Sequence, residues 1–377
     1  MKAVAVLHGS RTVDLIDIEP PPITQPSQAL LRVLEVGICG TDREIAAFEY
    51  GTPPDGSDYL VLGHEALAEV VETGPEVEFL QPGDLVVPMV RRPCPHNHCA
   101  ACVASRPDFC LTGDFHERGI KQSHGFMTEL IVEDEAYLAP VHRAIADVAV
   151  LVEPLTVTAK AGQQLLTISE RLPYEPQRLS ALVIGAGAVG LLGAMLMQAR
   201  GMSTHVYSRE PPDSDRAALI ESFGARYISS QEVPVEDLAE QAGPFGVIYE
   251  AAGSASLAFS ALHALSPNGM LIITGVPGVG RIEDHDLGRM MRSLVLNNQV
   301  LLGTVNAGQN AYEAAAQGIE QFLTLFPESL RQIISSRVPL EAAPELLTQG
   351  GGMKSVVSVH ELDETGQDAQ RTEKARA

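Results

Sequence analysis

The chain has 377 residues, of which 45% are apolar and 20% charged, so it can build two globular domains or one large one. Its formal net charge of −22, from 26 basic and 48 acidic residues, argues against a nucleic acid or an anionic membrane as a partner. No apolar run near the N-terminus reaches signal-peptide length, and none elsewhere approaches the roughly 18 residues of a membrane span, so we expect a cytoplasmic protein.

The N-terminal part of the chain predicts short strands separated by turns that are rich in proline and glycine. The apolar runs that predict these strands are 2–7, 29–38, 66–74 and 84–90. Short strands with such turns are typical of a sandwich or a partly open barrel.

From about residue 150 the pattern changes to strands that alternate with helices. The predicted elements are a helix at 151–166, a strand, a turn and a helix at 181–201, strands at 203–210, 245–253 and 270–278, and helices at 215–225 and 255–269. This alternation favours a parallel, doubly wound α/β sheet. After a mixed segment beyond residue 300, the polar stretch 361–377 is expected to be a frayed tail.

A glycine turn, Gly185-x-Gly187-x-x-Gly190, lies between the apolar strand and the apolar helix of 181–201. In the dinucleotide fingerprint the first glycine permits the tight turn, the second lets the backbone approach a pyrophosphate, and the third lets the helix pack closely. The phosphate then lies at the helix N-terminus, beside Ala188 and Val189, where free N–H groups favour an anion. An ordinary strand-to-helix turn is the alternative.

The residues at the end of the next strand bear on which dinucleotide binds. NAD-binding proteins usually place an acid there to bind the ribose hydroxyls, whereas this chain has Ser208 and Arg209. A hydroxyl residue followed by arginine favours the 2′-phosphate of NADP. Glu210 could supply the NAD-type contact, so NAD is kept as a possible second cofactor.

Residue types that bind zinc occur in three separate stretches: Cys39 in GICGTDREI, His64 and Glu65 in LGHEALAEVVETG, and Glu153 in LVEPLT. A catalytic zinc takes three protein ligands and keeps a fourth position open for water or substrate. Taken singly, each residue also has a structural explanation, namely a buried thiol, a core histidine or an acid at a helix N-terminus.

Together with the glycine turn, these stretches resemble the zinc-containing medium-chain dehydrogenase family over nearly the whole chain. The residues that match its motif are Gly63, His64, Glu65 and Gly74, while Ala68 stands where glycine is usual. The resemblance implies a catalytic zinc on Cys39, His64 and Glu153, with Glu65 as an alternate ligand or a residue behind the ligands.

The resemblance also implies the fold and the assembly. We expect an α/β protein with a GroES-like β-rich catalytic domain at 1–155 and 301–377 and a Rossmann doubly wound parallel-sheet domain at 156–300. Members of the family commonly form homodimers or homotetramers.

The four remaining cysteines cluster in RRPCPHNHCAACVASRPDFC. In a cytosolic protein such a cluster favours a metal over disulfides. The structural-zinc lobe of the family usually reads Cys-x2-Cys-x2-Cys-x7-Cys, which fits Cys110, Cys102 and Cys99 but places His96 where the first cysteine is expected. Cys94 lies two residues earlier, so either Cys94 or His96 completes the site, and we favour four thiolates.

Several stretches, among them CGTDREI, RPDFCLTGDFHERGI, LVEPLTVTAK and LLGTVNAG, resemble the archaeal glucose (aldose) 1-dehydrogenase branch of the family. In that branch the residues that match Thr41, Glu117, Glu153 and Asn306 contact the sugar or lie beside it. The cofactor contacts that the resemblance implies are Gly275, Val276, Thr304 and Asn306. The alternatives are a solvated Glu117 paired with Arg118 and an Asn306 that serves only a turn.

The branch implies zinc-dependent oxidation of the C1 hydroxyl of an aldose, D-glucose or a related sugar such as D-galactose, to the lactone with hydride transfer to NADP⁺ or NAD⁺. His64 and Glu65 then belong to the catalytic centre, and Thr41 is expected to pass the proton outward. Glu44 stands where many alcohol and polyol dehydrogenases have a proton-relay histidine. The alternatives are a polyol or secondary-alcohol dehydrogenase and a non-catalytic NADPH-binding protein.

Overall fold

The computed structural model of the chain describes residues 1–175, 179–278, 286–349 and 352–362. The predicted frayed tail therefore lies, from residue 363 onward, outside the described residues. The chain divides into two compact units, of which the first comprises Met1–Glu153, Ala307–Ala316 and Ile334–Ala377 and the second Pro154–Asn306 and Gln317–Ile333.

The chain begins with a series of short strands and two short helices. These elements are β1 (Lys2–Leu7), β2 (Thr12–Asp17), β3 (Gln28–Ile38), α1 (Gly40–Ala46), β4 (Tyr59–Val61), β5 (Glu65–Thr73), β6 (Leu85–Pro88), β7 (Arg91–Arg92), α2 (Ala100–Val103), β8 (His116–Arg118), β9 (Gln122–Ser123), β10 (Leu130–Asp134) and β11 (Leu138–Val141).

The middle of the chain alternates strands with helices. These elements are α3 (Val152–Ser169), β12 (Ser180–Ile184), α4 (Ala188–Ala199), β13 (Ser203–Ser208), α5 (Asp215–Ser222), β14 (Arg226–Ser229), α6 (Leu238–Gln241), β15 (Phe245–Glu250), α7 (Ala255–Ser260), β16 (Leu265–Ile273), α8 (Leu287–Leu296) and β17 (Val300–Gly303). The chain then forms α9 (Gln309–Leu325), α10 (Pro327–Ile333), β18 (Ile334–Pro339), α11 (Ala343–Gln349) and β19 (Lys354–Ser358).

The first unit is built on a seven-stranded sheet in the order β11-β6-β5-β3-β19-β18, with β10 also paired to β3. Two three-stranded sheets, β2-β1-β4 and β7-β8-β9, accompany it. Strand β3 is central because its eleven residues are all buried or half-buried and pair with β5, β10 and β19. The apolar side chains of β3, β5 and β6 form the core of this unit.

The second unit contains a six-stranded parallel sheet in the order β14-β13-β12-β15-β16-β17. This is the strand order of a dinucleotide-binding fold, and it reverses direction between β12 and β15. Such folds bind their ligand at the carboxyl ends of the strands beside this reversal. The architecture thus confirms the predicted β-rich unit and the predicted doubly wound sheet.

The predicted element boundaries differ most from the structure at 255–278. The helix predicted at 255–269 ends as a short 3-10 turn at Ala264, and β16 already begins at Leu265. Pro267 cannot continue a helix, and Asn268 has a positive φ of 62° that a helix does not allow. Among the described helices, none has the length and apolar character that a membrane span needs.

Candidate active site

The end of β3 and the loop before β5 bring Cys39 and His64 together. Cys39 Sγ lies 3.2 Å from His64 Nε2, although the two residues are 25 positions apart. Cys39 is the N-cap of α1, and its sulfur accepts a hydrogen bond from Thr41 N at 3.3 Å. The sulfur of Cys39 and the ring nitrogen of His64 therefore converge on one point, as two ligands of a single metal ion do.

Asp42 lies behind His64 and fixes its ring. This carboxyl is fully buried, and its Oδ1 lies 3.3 Å from His64 Nδ1 and accepts the backbone N–H of Gly63 at 3.2 Å. Its Oδ2 accepts from Cys39 N at 2.9 Å, so one carboxyl aligns both candidate ligands. Burial alone would lower the pKa of His64, but the charges of Asp42 and Cys39 raise that pKa well above its usual value. A carboxylate on the far nitrogen orients a metal-binding histidine in the same way.

Glu65 lies beside these two residues but is held by a cation. Lys354 Nζ lies 2.8 Å from Oε1 and 2.5 Å from Oε2 of Glu65, and both side chains are only 3% exposed. One oxygen of Glu65 nevertheless lies within 4.8 Å of the donor atoms of Cys39 and His64. Glu153, in the first turn of α3, has its pKa raised to about 7, because burial outweighs the attraction of His64.

Three further predicted residues lie around this group in the first unit. Thr41 is half-buried in the first turn of α1, and Glu44 is exposed one turn later. Glu117 is 5% exposed and accepts hydrogen bonds from Arg91 Nε at 3.0 Å and Nη2 at 2.8 Å. The alternative of a solvated Glu117 paired with Arg118 is therefore wrong, since Arg118 lies against Glu133 instead, at 3.5 Å.

The four clustered cysteines form a second donor group. The sulfur atoms of Cys94, Cys99, Cys102 and Cys110 all lie within 4.8 Å of one another, and none is in a disulfide. Tetrahedral zinc with Zn–S bonds of about 2.3 Å places its sulfur ligands about 3.8 Å apart, close to the 4.0 Å between Cys99 and Cys110. Burial raises the pKa of Cys110, but its hydrogen bonds, with Thr112 first among them, together have the larger, opposite effect. The pKa is lowered to about 6, which favours the thiolate.

The structure separates His96 from this sulfur group. Its Nε2 lies 2.8 Å from Asp114 Oδ2 on the exposed side of the loop. Of the two residues that the spacing left open, Cys94 rather than His96 lies with the other three thiols.

The glycine turn lies at the carboxyl end of β12 in the second unit. Gly185 has a φ of +102°, and a Cβ at Gly190 would lie 2.0 Å from Gly185 O, so a side chain at 190 would force α4 away from the turn. A Cβ at Gly187 would meet nothing within 4 Å, and Gly187 is the N-cap of α4 without a side-chain hydrogen bond. The open space and the N–H groups at Ala188 and Val189 fit a pyrophosphate.

At the end of β13, Glu210 and Arg209 differ in their hydrogen bonding. Ser208 Oγ donates to Glu210, whose other oxygen accepts from Arg216 Nη1 at 2.5 Å. Arg209 is exposed, and its side chain has no hydrogen-bond partner among the residues that the structure describes. The carboxylate is thus occupied, whereas the guanidinium can receive a phosphate.

The remaining predicted contacts lie at the ends of β16 and β17. Thr304 N donates to Ile273 O at 3.0 Å, but its buried Oγ1 has no partner within the described part of the chain. A Cβ at Gly275 would lie 2.2 Å from Gly253 N, and Val276 is 76% exposed. Asn306 has a positive φ of 61°.

Sequence reasoning missed two residues of the first site. Asp42 had a local signal, because an acid three residues after an N-cap completes a capping box. Lys354 had none, since it comes from β19, 289 positions after its partner Glu65.

Two family models match the chain. The model of the alcohol dehydrogenase GroES-like domain matches residues 25–143, and the model of the glucose dehydrogenase C-terminus matches residues 146–359. The "Glucose 1-dehydrogenase" of Methanocella arvoryzae is 37% identical over 92% of this chain and 95% of its own. That of Thermoproteus tenax is 40% identical over the same shares.

The fold also matches a solved structure over nearly its whole length. Haloferax mediterranei glucose dehydrogenase, in complex with NADP, Zn and gluconolactone, superposes with a TM-score of 0.87 at 32% identity. The match covers 96% of this chain and 100% of the other.

Proposed function

The chain belongs to the glucose dehydrogenase family of zinc-containing medium-chain dehydrogenases, and from this we propose that it oxidises the C1 hydroxyl of an aldose to the lactone and transfers the hydride to NADP⁺ or NAD⁺. D-glucose is the first substrate to test, with D-galactose and related sugars next. The observation that carries the proposal is the approach of Cys39 Sγ to His64 Nε2 at 3.2 Å, with His64 backed by the buried Asp42.

Cys39, His64 and Glu153 would hold the catalytic zinc. The donor set of thiolate, imidazole and carboxylate fits zinc, and because Lys354 binds both oxygens of Glu65, we assign Glu153 rather than Glu65 as the third ligand. Zinc bound there supplies a Lewis acid that lowers the pKa of a hydroxyl group. Cys94, Cys99, Cys102 and Cys110 would hold the structural zinc.

Two residues of α1 would move the proton. Thr41 lies in the first turn of α1, and its hydroxyl would take up the proton of the sugar hydroxyl while it passes its own proton to Glu44. Glu44, exposed one helical turn later, would release that proton to solvent. Glu117 and Asn306 would bind the other hydroxyl groups of the sugar, because a buried sugar ring needs several hydrogen-bond partners.

NADP is the proposed preferred cofactor, and its nicotinamide supplies the hydride acceptor. The support is that Glu210 is held by Ser208 and Arg216, while Arg209 is exposed to receive a 2′-phosphate. The glycine turn would hold the pyrophosphate, and Thr304 would use its hydroxyl, which has no partner among the described residues, toward the nicotinamide end. Asn306 lies two residues further along, and Gly275 and Val276 follow the neighbouring strand β16. Arg209→Ala should raise the KM for NADP⁺ about tenfold and leave that for NAD⁺ unchanged.

Initial rates of NADP⁺ and NAD⁺ reduction test the whole proposal. The panel is D-glucose, D-galactose, D-xylose, sorbitol and 2-butanol, each with and without a chelator. Aldose turnover that the chelator abolishes and that zinc restores is the expected result. Preferential turnover of sorbitol or 2-butanol would instead make the protein a polyol or secondary-alcohol dehydrogenase. His64→Ala serves as the control for zinc-independent background.

The oligomeric state, and the assignment of the zinc and dinucleotide sites to the two units, are also proposals. The first unit would carry both zinc sites and the second the dinucleotide, in a cytoplasmic homodimer or homotetramer. Leu287, Met291 and Val295 lie on one face of α8 and are 64%, 67% and 72% exposed, which supports self-association through this helix. Light scattering of the wild type and of Met291→Asp should show a smaller assembly for the variant.

A further inference from the structure

Arg91 binds only one of the two carboxylate oxygens of Glu117. Strands β7 and β8 pair so that Arg91 stands opposite Glu117 in the register. Both Arg91 Nε and Nη2 donate to Oε1, at 3.0 and 2.8 Å. Arg91 is itself held in place, because its guanidinium lies 3.5 Å from the centre of the Phe115 ring and its side chain is 9% exposed.

The other oxygen of Glu117, Oε2, receives no hydrogen bond from Arg91. Within the described residues no hydrogen bond reaches its Oε2, although the residue is only 5% exposed. Oε2 is not among the fully buried side-chain atoms without a partner in the described part of the chain, so a ligand can reach it. An acceptor that is held in place and left open is what a site for a hydroxyl donor requires.

The loop that carries Glu117 is fastened beside the candidate zinc ligands. Residues 117–121 form a tight turn in which Lys121 N donates to Glu117 O at 2.9 Å. At its centre Gly119 has a φ of +74°, and a Cβ there would lie 2.3 Å from Gly63 O. Gly63 immediately precedes His64, so the turn packs against the backbone next to the candidate zinc ligand.

From this geometry we propose that Arg91 is a positioning residue, which holds Glu117 so that its free oxygen accepts a hydrogen bond from one particular hydroxyl of the sugar. Arg91 itself does not touch the substrate. The inference deepens the proposed function and depends on it. According to this inference, the ion pair of Arg91 and Glu117 in β7 and β8 determines which sugar hydroxyl the enzyme requires.

The test compares D-glucose with the monodeoxy analogues that keep the C1 hydroxyl. The wild type should discriminate against one analogue by about tenfold to a hundredfold in kcat/KM, the range of a hydrogen bond to a charged group. Glu117→Gln should reduce this discrimination, because Arg91 binds the amide oxygen and an uncharged NH₂ donor then replaces the charged acceptor that faces the hydroxyl. Arg91→Met should lose it for the same hydroxyl, through a higher KM for glucose and an unchanged kcat/KM for the matching analogue.

Arg92→Met is the matched control. Arg92 is the next residue in β7 and also pairs with a buried carboxylate, that of Glu133, while its guanidinium lies over Tyr137. This variant should keep the hydroxyl discrimination whatever it does to stability. Calorimetric binding of gluconolactone, zinc content and melting temperature are measured for each variant, so that a folding defect is separated from an altered site.

Three results would overturn the inference. The first is full discrimination in Arg91→Met, and the second is a kcat/KM that Arg91→Met lowers by the same factor for every analogue. The third is a loss in the double variant Arg91→Met/Glu117→Gln equal to the product of the two single losses, whereas residues acting as one unit lose no more than Glu117→Gln alone. If the wild type oxidises no aldose, the proposed function fails, and the inference fails with it.

Discussion

Replacing Lys354 by methionine isolates the energetics of the buried ion pair with Glu65 beside the candidate zinc ligands. At an effective dielectric constant of 20, two unit charges 2.8 Å apart attract by about 6 kcal/mol, which desolvation of the two ions partly offsets. Removing one partner leaves Glu65 as an uncompensated charge that is 3% exposed, and it also removes the hydrogen bond to Ile38 O at 3.2 Å. We therefore expect Lys354→Met to lower the free energy of unfolding of the first unit by about 3–5 kcal/mol.

Urea unfolding followed by circular dichroism measures this loss, since the chain has no tryptophan. The loss should be larger in the presence of a chelator, because a metal cation near Glu65 compensates the freed carboxylate. Glu65→Gln and the double variant complete a double-mutant cycle, in which the double variant should be at least about 2 kcal/mol more stable than Lys354→Met. A loss below about 1 kcal/mol, or additive effects of the two substitutions, would show that solvent screens the pair and that the reasoning is wrong.

Asp42→Asn should weaken zinc binding about tenfold to a hundredfold in a chelator competition, because the ring of His64 loses its charged partner. Burial lowers the pKa of His205, so the unfolded chain binds the proton more tightly and stability falls as the pH drops below about 6.5. The melting temperature of His205→Leu should accordingly fall less than that of the wild type between neutral pH and pH of about 5.5. Metal analysis should find one zinc fewer per chain in Cys94→Ser, and no loss in His96→Ala, because only Cys94 lies with the other thiols.

Local patterns were enough to predict the two kinds of fold and much of the candidate site. The alternation of strands and helices after residue 150 predicted the parallel sheet, because each short apolar segment needs a helix to cover it. The glycine turn was recognisable because its spacing, strand and helix are contiguous in the chain. Cys39, Asp42 and Thr41 likewise belong to one capped helix start.

Pairings between distant strands could not be read in the same way. The partner of Glu117 is Arg91 because β7 and β8 are antiparallel and in a particular register. Arg118 is adjacent in sequence, yet successive side chains of a strand point to opposite faces, so it meets Glu133 instead. The cation on Glu65 required the last strand, β19, to add to β3, a long-range event without a local signal.

Strands β7 and β8 also close the base of the lobe that contains the four cysteines. Cys94 follows β7 and Cys110 precedes β8, so the sulfur cluster and the Arg91–Glu117 pair are the two ends of one small hairpin. A metal bound to the sulfurs would therefore stabilise the hairpin that carries Glu117, the carboxylate proposed to bind the sugar. Removing this metal should reduce the discrimination among sugars in kcat/KM at temperatures where the protein is still folded. The structural metal would then also contribute to substrate selectivity.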